Sequence, residues 1–149
     1  MNTVRKAWLG MLVLIAPTAL PAEEIGQLKT ATGVVIVVRE GVEMRSVEGA
    51  SIHHADRILT RGDSTAGITF DDNSRLSLGP NSELDTSQFS FGDKARPDVF
   101  ETTLHRGTLS AISGRITQKS PEAMKVRTPT TILGVRGTEF LVQVSDRPE

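Results

Sequence analysis

The stretch Ala66-Gly-Ile-Thr-Phe-Asp-Asp-Asn-Ser-Arg-Leu-Ser-Leu78 establishes the fold class. In Ala66–Phe70 and again in Arg75–Leu78 the apolar residues fall on every second position, the period of a strand with one buried face. Asp71-Asp-Asn-Ser74 stands between the two runs. Asn and Asp tolerate positive φ and hydrogen-bond their own backbone, so these four residues predict a hairpin turn. Their acidity also suggests a calcium loop, but the wider EF-hand spacing and its distal Glu are missing.

Outward from this hairpin the same pattern repeats. Arg57–Thr60 and Ser82–Asp85 alternate in the same way. Val34-Val-Ile-Val-Val38 is a run of β-branched residues between Gly33 and Gly41, and it predicts a strand buried on both faces at the centre of a sheet. Phe89 and Phe91 close a strand, and Gln88–Asp98, with Gly92, Asp93 and Pro97, reads as an exposed loop. Alternation resumes from Asp98 to Ser113, with Gly107 at an expected turn. Gly134 and Gly137 predict a bulge or a close backbone approach. Beyond them Thr138–Val144 reads as a closing strand with Phe140, Val142 and Val144 on one face. No amphipathic helix of convincing length appears. The prediction is a single all-β domain of short strands, in a twisted solenoid-like or sandwich-like arrangement.

The chain has 149 residues, enough for one domain, and its charge is interspersed. Arg5 and Lys6 followed by the apolar run Trp8–Ala16 and by Ala19-Leu-Pro-Ala22 read as a signal peptide over residues 1–22, leaving a domain of residues 23–149. Pro17 and Pro21 interrupt the apolar run too early for a spanning helix, so no stable membrane insertion is expected after cleavage. Without Arg5 and Lys6, 15 basic side chains face 18 acidic ones. This mild acidity, with no polybasic patch, argues against nucleic acid as a partner. The absence of Cys excludes disulfides and thiolate metal sites.

Signals of catalysis are missing. His53 and His54, as neighbours on a strand, point to opposite faces and make a poor metal pair; His105 is the third imidazole. There is no His-Glu-x-x-His, no Gly-x-Ser-x-Gly and no Gly-rich phosphate loop. Gly134-Val-Arg-Gly137 lacks the three-glycine spacing of a nucleotide-binding turn. The expectation is a non-enzyme with no catalytic residue, metal or cofactor.

Two sets of positions carry a family resemblance. The first is Asp56, Ile58, Thr60 and Ser64, then Ile68, Phe70, Asp72, Ser74, Leu76 and Leu78, then Ser82 and Leu84, with Asn73 where a turn glycine is usual. The second is Leu104, Gly107, Val126, Thr128, Pro129, Val135, Gly137, Thr138, Phe140 and Val142. Over residues 33–144 the chain thereby resembles the FecR domain, the periplasmic module of FecR-type iron-dicitrate regulators. The resemblance implies a periplasmic β-rich interaction or sensing module without catalytic residues. Its motif positions Asp56, Thr60, Asp72, Ser74, Gly107, Thr128, Pro129, Gly137, Thr138 and Phe140 are expected to be mainly structural, with Arg136 a candidate partner contact. FecR-type regulators also carry a sigma-factor-binding segment, a transmembrane helix and a transporter-engaging C-terminal region, so a stand-alone secreted form is expected here. Its partner would be an envelope protein met through a strand edge or loop surface, with signalling as the setting. The alternative is an envelope glycan or small-ligand binding domain. For that, Tyr is absent and the single Trp lies in the signal segment.

Export with cleavage after Ala22 predicts a periplasmic protein whose intact mass begins at Glu23. Recovery of the full-length chain only in the membrane fraction would mean a retained anchor instead.

Overall fold

The computed structural model describes residues 22–145 apart from Thr138. Residues 1–21 of the signal peptide expected over residues 1–22 lie outside the described residues, as does the expected role of Thr138. Strands make up 58% of what is described and helix 4%, so the domain is all-β. Twelve strands follow in order: β1 (Glu24–Thr32), β2 (Val35–Arg39), β3 (Val42–Ser46), β4 (Ser51–His53), β5 (Arg57–Thr60), β6 (Thr65–Phe70), β7 (Arg75–Leu78), β8 (Glu83–Ser90), β9 (Val99–Ile112), β10 (Met124–Arg127), β11 (Ile132–Gly134) and β12 (Glu139–Val144). One short helix, α1 (Arg115–Lys119), lies between β9 and β10.

The strands form one curled, continuous sheet with two halves that share β9. Residues Val99–Arg106 of β9 pair with β8 and β10, giving the order β3-β2-β5-β8-β9-β10-β11. Residues Gly107–Ile112 pair with β7 and β12, giving β4-β1-β6-β7-β9-β12. Among the described strand pairs only β9 with β10 is parallel. The observed arrangement is one open, curled sheet of mainly antiparallel strands.

The change of sheet is made at Gly107. Phe100, Thr102 and Leu104 point inward before it and Leu109 and Ala111 after it, so the buried positions switch from even to odd along one strand. One extra residue enters the ladder between the pairs Leu84↔Leu104 and Glu83↔Arg106, the signature of a β-bulge. Gly107 has φ +89°, and a Cβ there would lie 2.5 Å from Ser82 Cα. The sequence reading placed a turn at Gly107; the chain instead continues as a strand and only its inward face changes.

Across the curl the halves close on a phenylalanine cluster. Phe70 from β6 lies 5.6 Å from Phe89 and 4.6 Å from Phe100 between ring centroids, and Phe89 meets Phe100 edge-on at 5.3 Å. The two halves are thus held together by aromatic packing as well as through the shared strand β9. The β6–β7 hairpin forms where expected, with Ile68 opposite Leu76 and Asn73 at φ +66°.

Two expectations need correction. Val34–Val38 does not lie at a sheet centre: β2 is second from an edge, and only Val35 and Val37 are buried while Ile36 and Val38 are half-exposed. Five consecutive β-branched residues concealed an ordinary alternation. Gly134 makes no close backbone approach, because a Cβ there would meet nothing within 4 Å, and its φ is not positive.

Gly107→Ala combines an αL strain with overlap on Ser82 backbone, and should lower unfolding free energy by about 2–3 kcal/mol in urea titrations. A wild-type midpoint would show that the bulge tolerates a side chain.

Candidate functional site

The polar motif residues fall into two groups, one turned inward and one around an open groove. Asp56 is fully buried. Arg39, the last residue of β2, donates from Nε to Oδ1 at 2.8 Å and from Nη2 to Oδ2 at 2.7 Å, and the His53 amide donates to Oδ2 at 2.8 Å. A bidentate pair with an added backbone donor is what allows a carboxylate to sit in the interior. Arg39 also reaches the Ser51 carbonyl at 3.0 Å, so one guanidinium binds the end of β2 to β4 and to the turn before β5.

Thr60 and Ser82 form the second buried centre. Thr60 Oγ1 donates to the Gly79 carbonyl at 2.7 Å and accepts from the Ser82 amide at 2.9 Å, while the Ser82 hydroxyl accepts from the Thr108 amide at 3.0 Å. This hydroxyl pair supports the bulge next to Gly107. Asp72 and Ser74 form the third. Asp72 accepts from the Ser74 amide at 3.0 Å and hydroxyl at 2.6 Å, and Ser74 Oγ accepts from the Gly114 amide at 2.8 Å. The Asp72 carbonyl takes the Arg115 amide at 2.8 Å and its carboxylate the Ile116 amide at 3.3 Å. The hairpin turn therefore satisfies the start of α1 from another part of the chain. These side chains have their hydrogen bonds committed to backbone that would otherwise be buried without partners.

The second group surrounds the place where β10–β11 and β12 diverge from β9. Thr128-Pro129-Thr130-Thr131 is the turn joining β10 to β11. Thr128 N–H donates to the Thr131 carbonyl at 2.8 Å and Thr128 Oγ1 accepts from the Thr131 amide at 3.1 Å, with Pro129 at the second position that its fixed φ suits. Between this turn and β12 lies a groove of about 760 Å³ lined by His105, Thr128, Pro129, Leu133, Val142 and Val144. A smaller cleft of about 300 Å³ continues from it past Leu133, Arg136, Phe140 and Leu141. Phe140, Val142 and Val144 face the core side of β12, as expected. Gly137 has φ +126° and its carbonyl accepts from the Ser113 hydroxyl.

Arg136 is 72% exposed and pairs with the equally exposed Glu122. An exposed pair of this kind adds little to stability and leaves the guanidinium accessible. Ile132 on β11 is 57% exposed and Leu141 on β12 is 68% exposed. Among the described residues both β11 and β12 pair on one side only, so the groove is flanked by two strand edges that are free there. Sequence reasoning named Thr128, Pro129, Arg136, Gly137 and Phe140 here but missed Ile132 and Leu141. Leu141 occupies an outward position of an alternation that was read only for its inward face, and Ile132 lies on β11, a strand the sequence reading did not delimit.

On the outer face of the β5, β8 and β9 strands an ionic belt runs to the groove. Arg57 donates to Asp85 at 2.6 and 3.0 Å, and His105 Nε2 lies 2.8 Å from Asp85 Oδ2. Burial raises the Asp85 carboxyl, but the hydrogen bonds from Arg57 and His105 outweigh it and hold the group below the usual carboxylate range. Among the described residues no three His, Asp or Glu side chains come together as a metal site.

A family model described as FecR protein matches residues 56–148. The chain belongs to the FecR family. The match begins at Asp56, so β1–β4 precede it, whereas the sequence reading carried the resemblance back to Gly33. No curated protein and no solved structure matches the chain. FecR domains are typically periplasmic regulatory or sensing modules in signalling, and proteins of the family interact with other envelope proteins. No helix among the described residues is long and apolar enough to cross a membrane.

Gly137→Val should destabilise the domain by about 1–3 kcal/mol, through the φ a β-branched residue cannot easily adopt and not through a clash. Arg136→Ala should stay within about 0.5 kcal/mol of wild type in the same thermal melts. The depressed Asp85 carboxyl gives stability that is present above the unfolded-state value and lost as pH falls through the lower folded one. Asp85→Asn should therefore lower stability at neutral pH and reduce its loss on acidification, as read from urea midpoints against pH.

Proposed function

We propose that this FecR-family domain is a non-enzymatic, secreted sensing module of the periplasm. It recognises an extended segment of an envelope protein in the groove between β11 and β12. The observation that carries the reading is the pair of free strand edges at that groove, with Ile132 and Leu141 exposed beside it. A free edge offers backbone donors and acceptors to an incoming strand, and the apolar side chains next to it supply specificity through alternate pockets. Arg136, at the end of the smaller cleft, adds a cation that favours an acidic or carboxylate-bearing segment.

The inward group of motif residues supports the same division of labour. Asp56, Thr60, Asp72 and Ser74 have their polar atoms engaged inside the fold, which leaves the groove as the place where the family motif meets solvent. Export through the signal segment would deliver the domain to the compartment where such partners reside.

A photo-crosslinking residue at Leu141 should trap one envelope protein in living cells, and Arg136→Ala should reduce that adduct without altering the melt. The same probe at Glu48, on the loop after β3, serves as the control. Equal capture from both positions, or none from Leu141, would remove the groove as the recognition site.

A further inference from the structure

We propose that the opposite margin of the domain, the free edge of β3, pairs with the β3 edge of a second copy of this chain about a two-fold axis through Met44. Among the described residues β3 pairs only with β2, so its other edge is open. Val42, Met44 and the adjacent Val47 are all exposed, and they are three of the five large apolar side chains exposed among the described residues. Val42 and Met44 lie opposite Arg39 and Val37 and so extend the core-facing side of β2 beyond the core. Val42 is 61% exposed there.

The hairpin geometry determines which backbone groups are free. Glu40 and Gly41 form a two-residue loop with φ +51° and +80°, the twist of a type I′ turn, which closes on a hydrogen-bonded pair. That pair is Arg39 with Val42, and hydrogen-bonded pairs alternate along an antiparallel ladder. The amides of Val42, Met44 and Ser46 are therefore directed to β2, and those of Glu43 and Arg45 face outward. An antiparallel partner must set outward-facing residues against outward-facing residues.

For a second copy, the registers that satisfy this condition and overlap β3 by three residues or more centre on residue 43, 44 or 45. Centring on Glu43 places it against its own copy, and centring on Arg45 does the same for two guanidinium groups. Only the register centred on Met44 sets Glu43 against Arg45 twice, once on each side of the axis, with Met44 against Met44 and Val42 against Ser46 on the other face. Opposite charges directly across a ladder attract and like charges repel, so the charge order of five residues selects one register. The interface is isologous and closes on itself.

A single five-residue edge buries less than the roughly 1,000 Å² of a permanent interface. The association is therefore weak and reversible, and strengthens where the protein is locally concentrated. It uses residues before the family match and at the other end of the seven-stranded half from the β11–β12 groove, so it stands apart from the proposed recognition site.

Sedimentation equilibrium of the purified secreted protein, from about 10 μM to about 1 mM, tests the proposal. Wild type should show a monomer–dimer equilibrium in that range. Glu43→Arg alone and Arg45→Glu alone should each weaken it about tenfold, and the double variant Glu43→Arg/Arg45→Glu should recover it. Circular dichroism melts equal to wild type would show that the exposed substitutions leave the fold intact, and Leu141→Lys on the far edge should leave association unchanged. A wild type that stays monomeric throughout would overturn the proposal. So would dimers insensitive to both reversals, loss of association in Leu141→Lys, or a double variant that fails to recover.

Discussion

A single strand belonging to both halves of one sheet is the constraint on which the rest of this domain depends. β9 must present even-numbered residues to the core on one side of Gly107 and odd-numbered residues on the other, and a regular ladder cannot do both. The extra residue at the bulge resolves the conflict, and the αL glycine makes room for it against Ser82. Once the face is switched, the sheet can curl and bring Phe70 onto Phe89 and Phe100. The diverging partners of β9 then leave the groove open between β11 and β12.

Curling a sheet puts turns inside, and turns carry backbone groups that ladders do not satisfy. The buried polar residues answer that need one by one. Ser82 and Thr60 serve the bulge, Asp72 and Ser74 serve the approach to α1, and Asp56 with Arg39 serves the turn between β4 and β5. Because each hydroxyl or carboxylate meets a backbone or side-chain group of a distant segment, these contacts specify one arrangement of strands where apolar packing alone would accept several.

Much of the strand pattern was legible because period-two alternation is a local property, and Ala66–Leu78 or Thr138–Val144 shows it without help from the rest of the chain. What could not be read was long-range. Gly107 was visible as a break in the alternation, but whether a break is a turn or a bulge depends on Ser82, 25 positions earlier in the chain. Val34–Val38 looked central because β-branched residues suit either face of a strand, and its neighbours decide which face is covered. At the groove, motif spacing found Thr128, Pro129 and Phe140, whereas Ile132 and Leu141 became conspicuous only when β11 and β12 proved to be edges. The Arg39–Asp56 pair had no local signal at all.

That ion pair joins the segment before the family match to the segment inside it. β1 covers the edge of β6, β2 covers the edge of β5, and Ile25, Leu28, Val35, Val37 and Ile52 complete the core beneath them. A recombinant fragment cut at Asp56 would therefore uncover two strand edges, lose five buried side chains and leave a carboxylate without its guanidinium. The boundary drawn by family likeness is not the boundary of the folding unit, which includes β1–β4.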